Sequence, residues 1–340
     1  MRGKANSYPL LHKEHSIRNI SIFIALEILV LGCCSATASV KGDSSVGAQV
    51  TITILYDNVS YDTMFTPSNG FSCFIAGLEK TILFDAGGEP DILLHNMKQA
   101  NIDPNRIQYL VISHVHFDHI GGLKGATAWK NMETAFLPVK LPYPLARNER
   151  VNSLPVGLFP HVFLTGVMHP VPANVIHGDE RSLIIDMPQG LVLITGCAHP
   201  GIVSILKRAK EIVNKDIYLV LGGFHLLNHT DEQIKTIVDS FKSMGVRYCG
   251  PTHCTGDKAK AAFREAYGDH YVEMGAGRKI TLDKDGLLLG PDPHFSKHLD
   301  DQFPLTLNLP QSICHLGSEI FKSVLPRRAN HRTLGVSPKN

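Results

Sequence analysis

From Gln49 onward, apolar residues come in short clusters that read as strands separated by helices. Gln49 to Tyr56, Phe71 to Gly77 and Thr81 to Asp85 are rich in β-branched and aromatic residues, which predicts three strands. Pro90 to Ala100 predicts a helix, with Pro90 near the first helical position, where its missing N–H goes unneeded. Ile107 to Ile112 is almost wholly apolar, as expected of a strand covered on both faces. Prolines at 138, 142, 144, 155 and 160 predict a long irregular connection over that stretch, a candidate lid.

The second half repeats the theme. Leu183 to Asp186 and Leu191 to Thr195 predict a hairpin turning at Pro188-Gln189-Gly190. Ile202 to Val213 predicts an amphipathic helix and Ile217 to Leu221 a buried strand. Between Asp231 and Met244, the residues Ile234, Ile237, Val238 and Phe241 fall at i, i+3, i+4 and i+7, one face of a helix. A strand over Arg247 to Gly250, a helix over Asp257 to Tyr267 and a hairpin from Tyr271 to Leu282 around Gly275-Ala276-Gly277 complete the pattern. Strands and helices thus alternate twice over. The expected fold class is α/β: two mixed sheets packed face to face with helices outside, over residues 46–290.

The flanks differ in texture. Ile20 to Gly32 is apolar except for Ser21 and Glu27, follows scattered basic residues and precedes Ser35-Ala36-Thr37-Ala38-Ser39. That layout is similar to a secretory signal peptide, and Val30-Leu31-Gly32-Cys33 resembles a lipoprotein box. Residues 1–45 are therefore expected to direct export to the periplasm or a membrane tether, with a cytoplasmic location left open. Residues 291–340 show no sustained stripe and are expected to form a partly disordered tail.

Composition narrows the chemistry. At 44% apolar and 19% charged residues, the chain has ample material for a core. A net charge of +2, without a dense basic stripe, predicts no nucleic-acid partner. No Gly-x-Ser-x-Gly elbow or phosphate-cradling glycine loop is present. Seven cysteines, an odd number without a CxxC pair, exclude a fully paired disulfide framework within one chain and argue against a zinc ribbon. The sequence sets no oligomeric state. Histidine is the outlier, with 18 residues.

The densest group is Ser113-His114-Val115-His116-Phe117-Asp118-His119-Ile120-Gly121-Gly122, directly after a buried strand. Imidazole and carboxylate are ligands that zinc, iron and manganese accept. Core packing explains such a cluster poorly, because desolvating four titratable groups without a counterion is costly. One or two divalent transition-metal ions are expected, zinc first.

Together with Phe84-Asp85-Ala86-Gly87, this run resembles the metallo-β-lactamase superfamily over about residues 50–285. Asn69-Gly70-Phe71-Ser72, Thr195-Gly196-Cys197-Ala198-His199-Pro200-Gly201, Gly222-Gly223-Phe224-His225-Leu226 and Pro251-Thr252-His253-Cys254-Thr255-Gly256 are more particular. They are similar to the branch named for 7,8-dihydropterin-6-yl-methyl-4-(β-D-ribofuranosyl)aminobenzene-5′-phosphate synthase. The resemblance implies an αββα sandwich. It also implies that His114, His116 and His199 hold a first ion and that Asp118, His119 and His253 hold a second. Asp85 would orient the ligand loop through hydrogen bonds.

The superfamily carries a Thr-Gly-Asp whose carboxylate both ions share, whereas here Thr195-Gly196 leads into Cys197. His199 is taken as the ligand and Cys197 as a packed thiol. Asp118 would bind metal or orient the water. His225 is placed like a ligand or a substrate-binding group that would stabilise an oxyanion or protonate a leaving group, the alternative being a hydrogen-bonded core histidine. His177 ranks below His199 as a ligand, and His95, His161, His169, His229 and His270 lack ligand-like company. The implied activity is hydrolysis of a small ester, lactone, amide or phosphoester. A synthase or transferase of the branch's type, and a non-catalytic metal-binding module, remain as alternatives.

Overall fold

The computed structural model describes residues 49–123, 129, 131–170 and 178–290. The export segment, the C-terminal tail and His177 lie outside the described residues.

Strands β1 (Gln49–Tyr56), β2 (Ser72–Ala76), β3 (Ile82–Phe84), β4 (Tyr109–Val111), β5 (Thr134–Leu137) and β6 (Asn148–Val151) form one sheet with β13 (Lys279–Asp283) and β14 (Gly286–Leu289). Its order is β14-β13-β1-β2-β3-β4-β5-β6. The second sheet runs β12-β11-β10-β9-β8-β7. Its strands are β7 (Val156–Phe159), β8 (Val162–Leu164), β9 (Leu183–Met187), β10 (Gly190–Thr195), β11 (Ile217–Gly223) and β12 (Tyr248–Thr252). Both sheets are mixed: β3 to β6 pair in parallel in the first, and β10 to β12 in the second.

The period-2 alternation of the strands makes the layers. Val50, Ile52 and Ile54 of β1 meet Val192 and Ile194 of β10 in a core between the sheets. The opposite face of β10, through Leu191 and Leu193, packs on α3 (Ile202–Val213), α4 (Asp231–Ser243) and α5 (Asp257–Tyr267). Leu83 and Leu110 turn instead to Leu93 and Met97 of α1 (Pro90–Gln99), and the short α2 (Phe117–Ile120) follows β4. The result is an αββα sandwich of two mixed sheets with outer helices.

Two expectations need correction. The proline-rich stretch after Pro138 is not irregular throughout, since it holds β6 and β7. Both are edge strands, one in each sheet, and Pro155 and Pro160 flank β7 rather than interrupt it, which is where sheets tolerate proline. The segment therefore carries the chain from one sheet to the other. Buried Arg181 pins it, donating to the carbonyls of Leu137 (2.5 Å) and Asn152 (2.8 Å).

The closing hairpin also turns elsewhere. It joins β13 to β14 at Lys284-Asp285, where the Asp283 side chain accepts from the backbone of Asp285 and Gly286. Gly275 to Gly277 instead pass beside Ser60 and Tyr61 as an isolated bridge.

Candidate metal centre

Parallel strands leave their carboxyl ends together, and in open α/β sheets such edges carry sites. Here β3 ends at Asp85, β4 at Ser113-His114, β10 at Cys197 to His199, β11 at His225 and β12 at His253. Four of these residues reach their place with left-handed backbone: Asp85 (φ 55°), Ala198 (64°), His225 (55°) and His253 (50°). Non-glycine residues rarely adopt that conformation, and it clusters where function fixes the geometry. Glycine enables the closest approach: a Cβ on Gly196 would lie 2.2 Å from Ser113 Oγ.

Four imidazoles, those of His114, His119, His199 and His253, are each held through one nitrogen. Ser113 Oγ donates to Asp85 Oδ2 (2.6 Å), so it accepts from His114 Nδ1 (2.9 Å) and leaves Nε2 as a lone pair. That Nε2 faces His116 Nδ1 at 3.0 Å. His119 Nδ1 donates to Asp85 Oδ2 at 2.7 Å and His253 Nδ1 to Asn58 Oδ1 at 2.7 Å. Their two Nε2 atoms then confront each other at 3.2 Å. Two facing lone pairs at that distance repel unless a proton or a cation lies between them. Asp118 Oδ2 stands 3.3 Å from His253 Nε2 and 3.8 Å from His119 Nε2.

Glu180 organises the other half. Its Oε1 accepts from the backbone N–H of Gly196, Cys197 and Ala198, and its Oε2 from the N–H of His199 and from His199 Nδ1. His199 Nε2 is thereby left free. Sequence reasoning singles out neither Glu180 nor Asn58. Nothing local marks either residue, since each meets its histidine only in the folded chain.

The electrostatics fit ligand duty. Burial and the surrounding imidazoles hold His114 well below its ordinary pKa, so it stays neutral. Burial opposes charge on Glu180, but His199 and the backbone N–H groups outweigh it and keep the carboxyl below its usual range. Burial also works against Asp118, yet His253 and His119 hold its carboxyl well below the ordinary value. Burial would lower His119, but Asp85 more than reverses this and raises it to about 9. In the absence of a cation, then, these acids favour the protonated form of His119 at neutral pH.

The sequence-predicted ligands all meet. Asp118, His119, Cys197 and His253 present donor atoms within 4.8 Å of one another, as do His114, Cys197 and His199. His116 joins the latter set, with ring centroids 4.7 Å from His114 and 4.8 Å from His199. Nitrogen, carboxylate and sulfur donors in this arrangement suit one or two divalent transition-metal ions.

Asp85 hydrogen-bonds the backbone and hydroxyl of Ser113 and Nδ1 of His119. His225 is not a core histidine: it is exposed, with its ring 4.5 Å from that of His199. Its pairing with Cys254 raises its pKa above the ordinary value. A cavity of about 150 Å³ beside it is lined by His199, Ser204, Phe224 and His229 among others.

Comparison with known proteins agrees with this fold. A family model described as the metallo-beta-lactamase superfamily matches residues 65–211. A Methanocaldococcus jannaschii protein named 7,8-dihydropterin-6-methyl-4-(beta-D-ribofuranosyl)-aminobenzene-5'-phosphate synthase is 31% identical over 283 residues, covering 68% of this chain and 95% of the relative. An uncharacterized protein of the same organism is 30% identical over 258 residues, covering 66% and 98%. A solved structure described as a metal-dependent hydrolase of the beta-lactamase superfamily is 28% identical, with a TM-score of 0.57, over 68% of this chain and 98% of that one.

Proposed function

The chain belongs to the metallo-β-lactamase superfamily, and on that premise we propose that it is a metal-dependent hydrolase of a small ester, lactone, amide or phosphoester. The observation that carries this reading is the set of ring nitrogens left free by Ser113, Asp85, Asn58 and Glu180, all turned toward one another. One or two divalent ions, zinc first and iron or manganese next, would supply Lewis acidity and a water acidified toward a pKa of about 7.

The side chains supply orientation and protons. Asp118 keeps its charge and is 21% exposed, so it can accept a hydrogen bond from the attacking water and aim it. His225 is exposed, with its ring 4.5 Å from that of His199. With a raised pKa it donates to the substrate oxygen that gains charge, or hands a proton to the leaving group. Asp85 and Glu180 stay behind the ligands, fixing which nitrogen each ring presents.

The test is a panel of activated esters, lactones and phosphoesters offered to metal-loaded protein, chelator-treated protein and His116→Ala. The expected result is turnover of at least one class, lost on chelation and in the variant. One observation favours a second reading, because the 31% identical relative is named a synthase. Fully loaded protein that hydrolyses nothing in the panel would sink the hydrolase reading and shift weight to a metal-dependent synthase or transferase.

A further inference from the structure

Four cysteines lie among the described residues, and they do not share an environment. Cys73 sits in the core between the sheets, and Cys249 among the apolar side chains under the second sheet's helices. Those two are packed thiols. Cys197 is equally buried, 4% exposed, yet among the described residues it belongs to none of the three apolar clusters. Its Sγ lies 3.3 Å from His119 Nε2 instead. It falls within 4.8 Å of the donor atoms of His114 and His199 on one side and of Asp118, His119 and His253 on the other.

We propose that Cys197 contributes its sulfur to both donor sets, in place of the carboxylate that the Thr-Gly-Asp of the superfamily supplies. This rests on the reading of the cluster as a metal centre, and it replaces the expectation that Cys197 only packs. The backbone holds the sulfur there by design of the loop. Glu180 grips the N–H groups on either side of Cys197, Ala198 takes a left-handed conformation, and Gly196 and Gly223 press close around the turn. The two buried acids behind the ligands are already engaged. Asp85 is committed to Ser113 and His119, and Glu180 to four backbone groups and His199.

Charge argues the same way. Five imidazoles and the Asp118 carboxylate bring one negative charge to a place meant for up to two dications. A cation takes sulfur as thiolate, with the thiol proton passing to solvent, and so adds a second negative charge. Thiolate also widens the choice of ion toward the softer end of the series.

The test uses cobalt(II) as the probe, loaded into metal-free wild type, Cys197→Ser, Cys254→Ser and Cys197→Asp. Bound cobalt is counted, and the near-ultraviolet sulfur-to-cobalt charge-transfer band recorded. The expected result is a band in wild type and Cys254→Ser and its complete loss in Cys197→Ser. Cys197→Asp should bind as many ions as wild type, without the band, which also shows that the loop still folds. A band that survives in Cys197→Ser while cobalt binds normally overturns the proposal and leaves the metal centre standing. A band lost only in Cys254→Ser overturns it in favour of the Cys254 and His225 pair. Wild type that takes up no cobalt overturns the proposal and the metal-centre reading together.

Discussion

Replacing Glu180 by Gln removes a charge and one acceptor while keeping the shape of the side chain. In the native protein one carboxylate oxygen accepts three backbone N–H groups at 2.8–3.1 Å, and the other accepts the N–H and Nδ1 of His199 at 2.9 and 3.0 Å. The amide leaves at least two buried donors facing an NH2 group. Hydrogen bonds to a charged group contribute about 1.5–3 kcal/mol each, so losing two predicts a destabilisation of about 3–6 kcal/mol. The imidazole of His199 also loses the partner that fixes its tautomer, and outer partners of this kind are worth about 10–100-fold in metal affinity.

Urea unfolding of the metal-free protein reads the first effect, and zinc titration against a competing chelator reads the second. His199→Ala serves as the reference for which binding step moves. Glu180→Gln should weaken that same step by about 10–100-fold and leave the other within a few-fold. An unchanged unfolding midpoint with both binding steps intact would refute the reasoning.

Three further outcomes are expected. His116 is only partly buried, so His116→Ala should cost the ions and the activity while the circular dichroism stays that of a folded chain. Gly196→Ala places a methyl 2.2 Å from Ser113 Oγ and 3.1 Å from Asp85 Oδ2, and overpacking of this kind should cost about 1–3 kcal/mol of stability in denaturant titrations. In the metal-free protein the His119 pKa is raised from 6.5 to about 9 by Asp85. Its contribution to stability is therefore full below pH 6.5 and lost as the pH rises through about 9. The metal-free melting temperature should fall across that window more steeply than that of the loaded protein, and zinc binding at pH 7 should release the proton, seen as a buffer-dependent calorimetric enthalpy.

Much of this architecture is legible in the chain. The β1 strand and the α3 and α5 helices run where the apolar pattern places them, because their alternation or stripe is what the layers bury. Edge strands β6 and β7 escape notice because only one flank is paired, β6 is largely exposed and β7 is only half-buried, so prolines dominate the pattern. The ligands likewise stand out through the dense His-x-His-x-Asp-His run. The groups that orient them do not, since His253 and Asn58 are separated by 195 positions and only the fold brings the segments after β1 and β12 together. The sequence likewise gives no sign of which neighbours Cys197 meets, and only the folded chain places its sulfur 3.3 Å from His119 Nε2.

The central claim is that these histidines and acids form a metal centre, and ions per chain test it most directly. Protein purified without added metal would be analysed by inductively coupled plasma mass spectrometry, wild type beside His199→Ala. About two divalent ions in wild type, falling in the variant, is the predicted result. No metal in the purified protein, and none taken up on reconstitution with zinc, iron or manganese, would contradict the account.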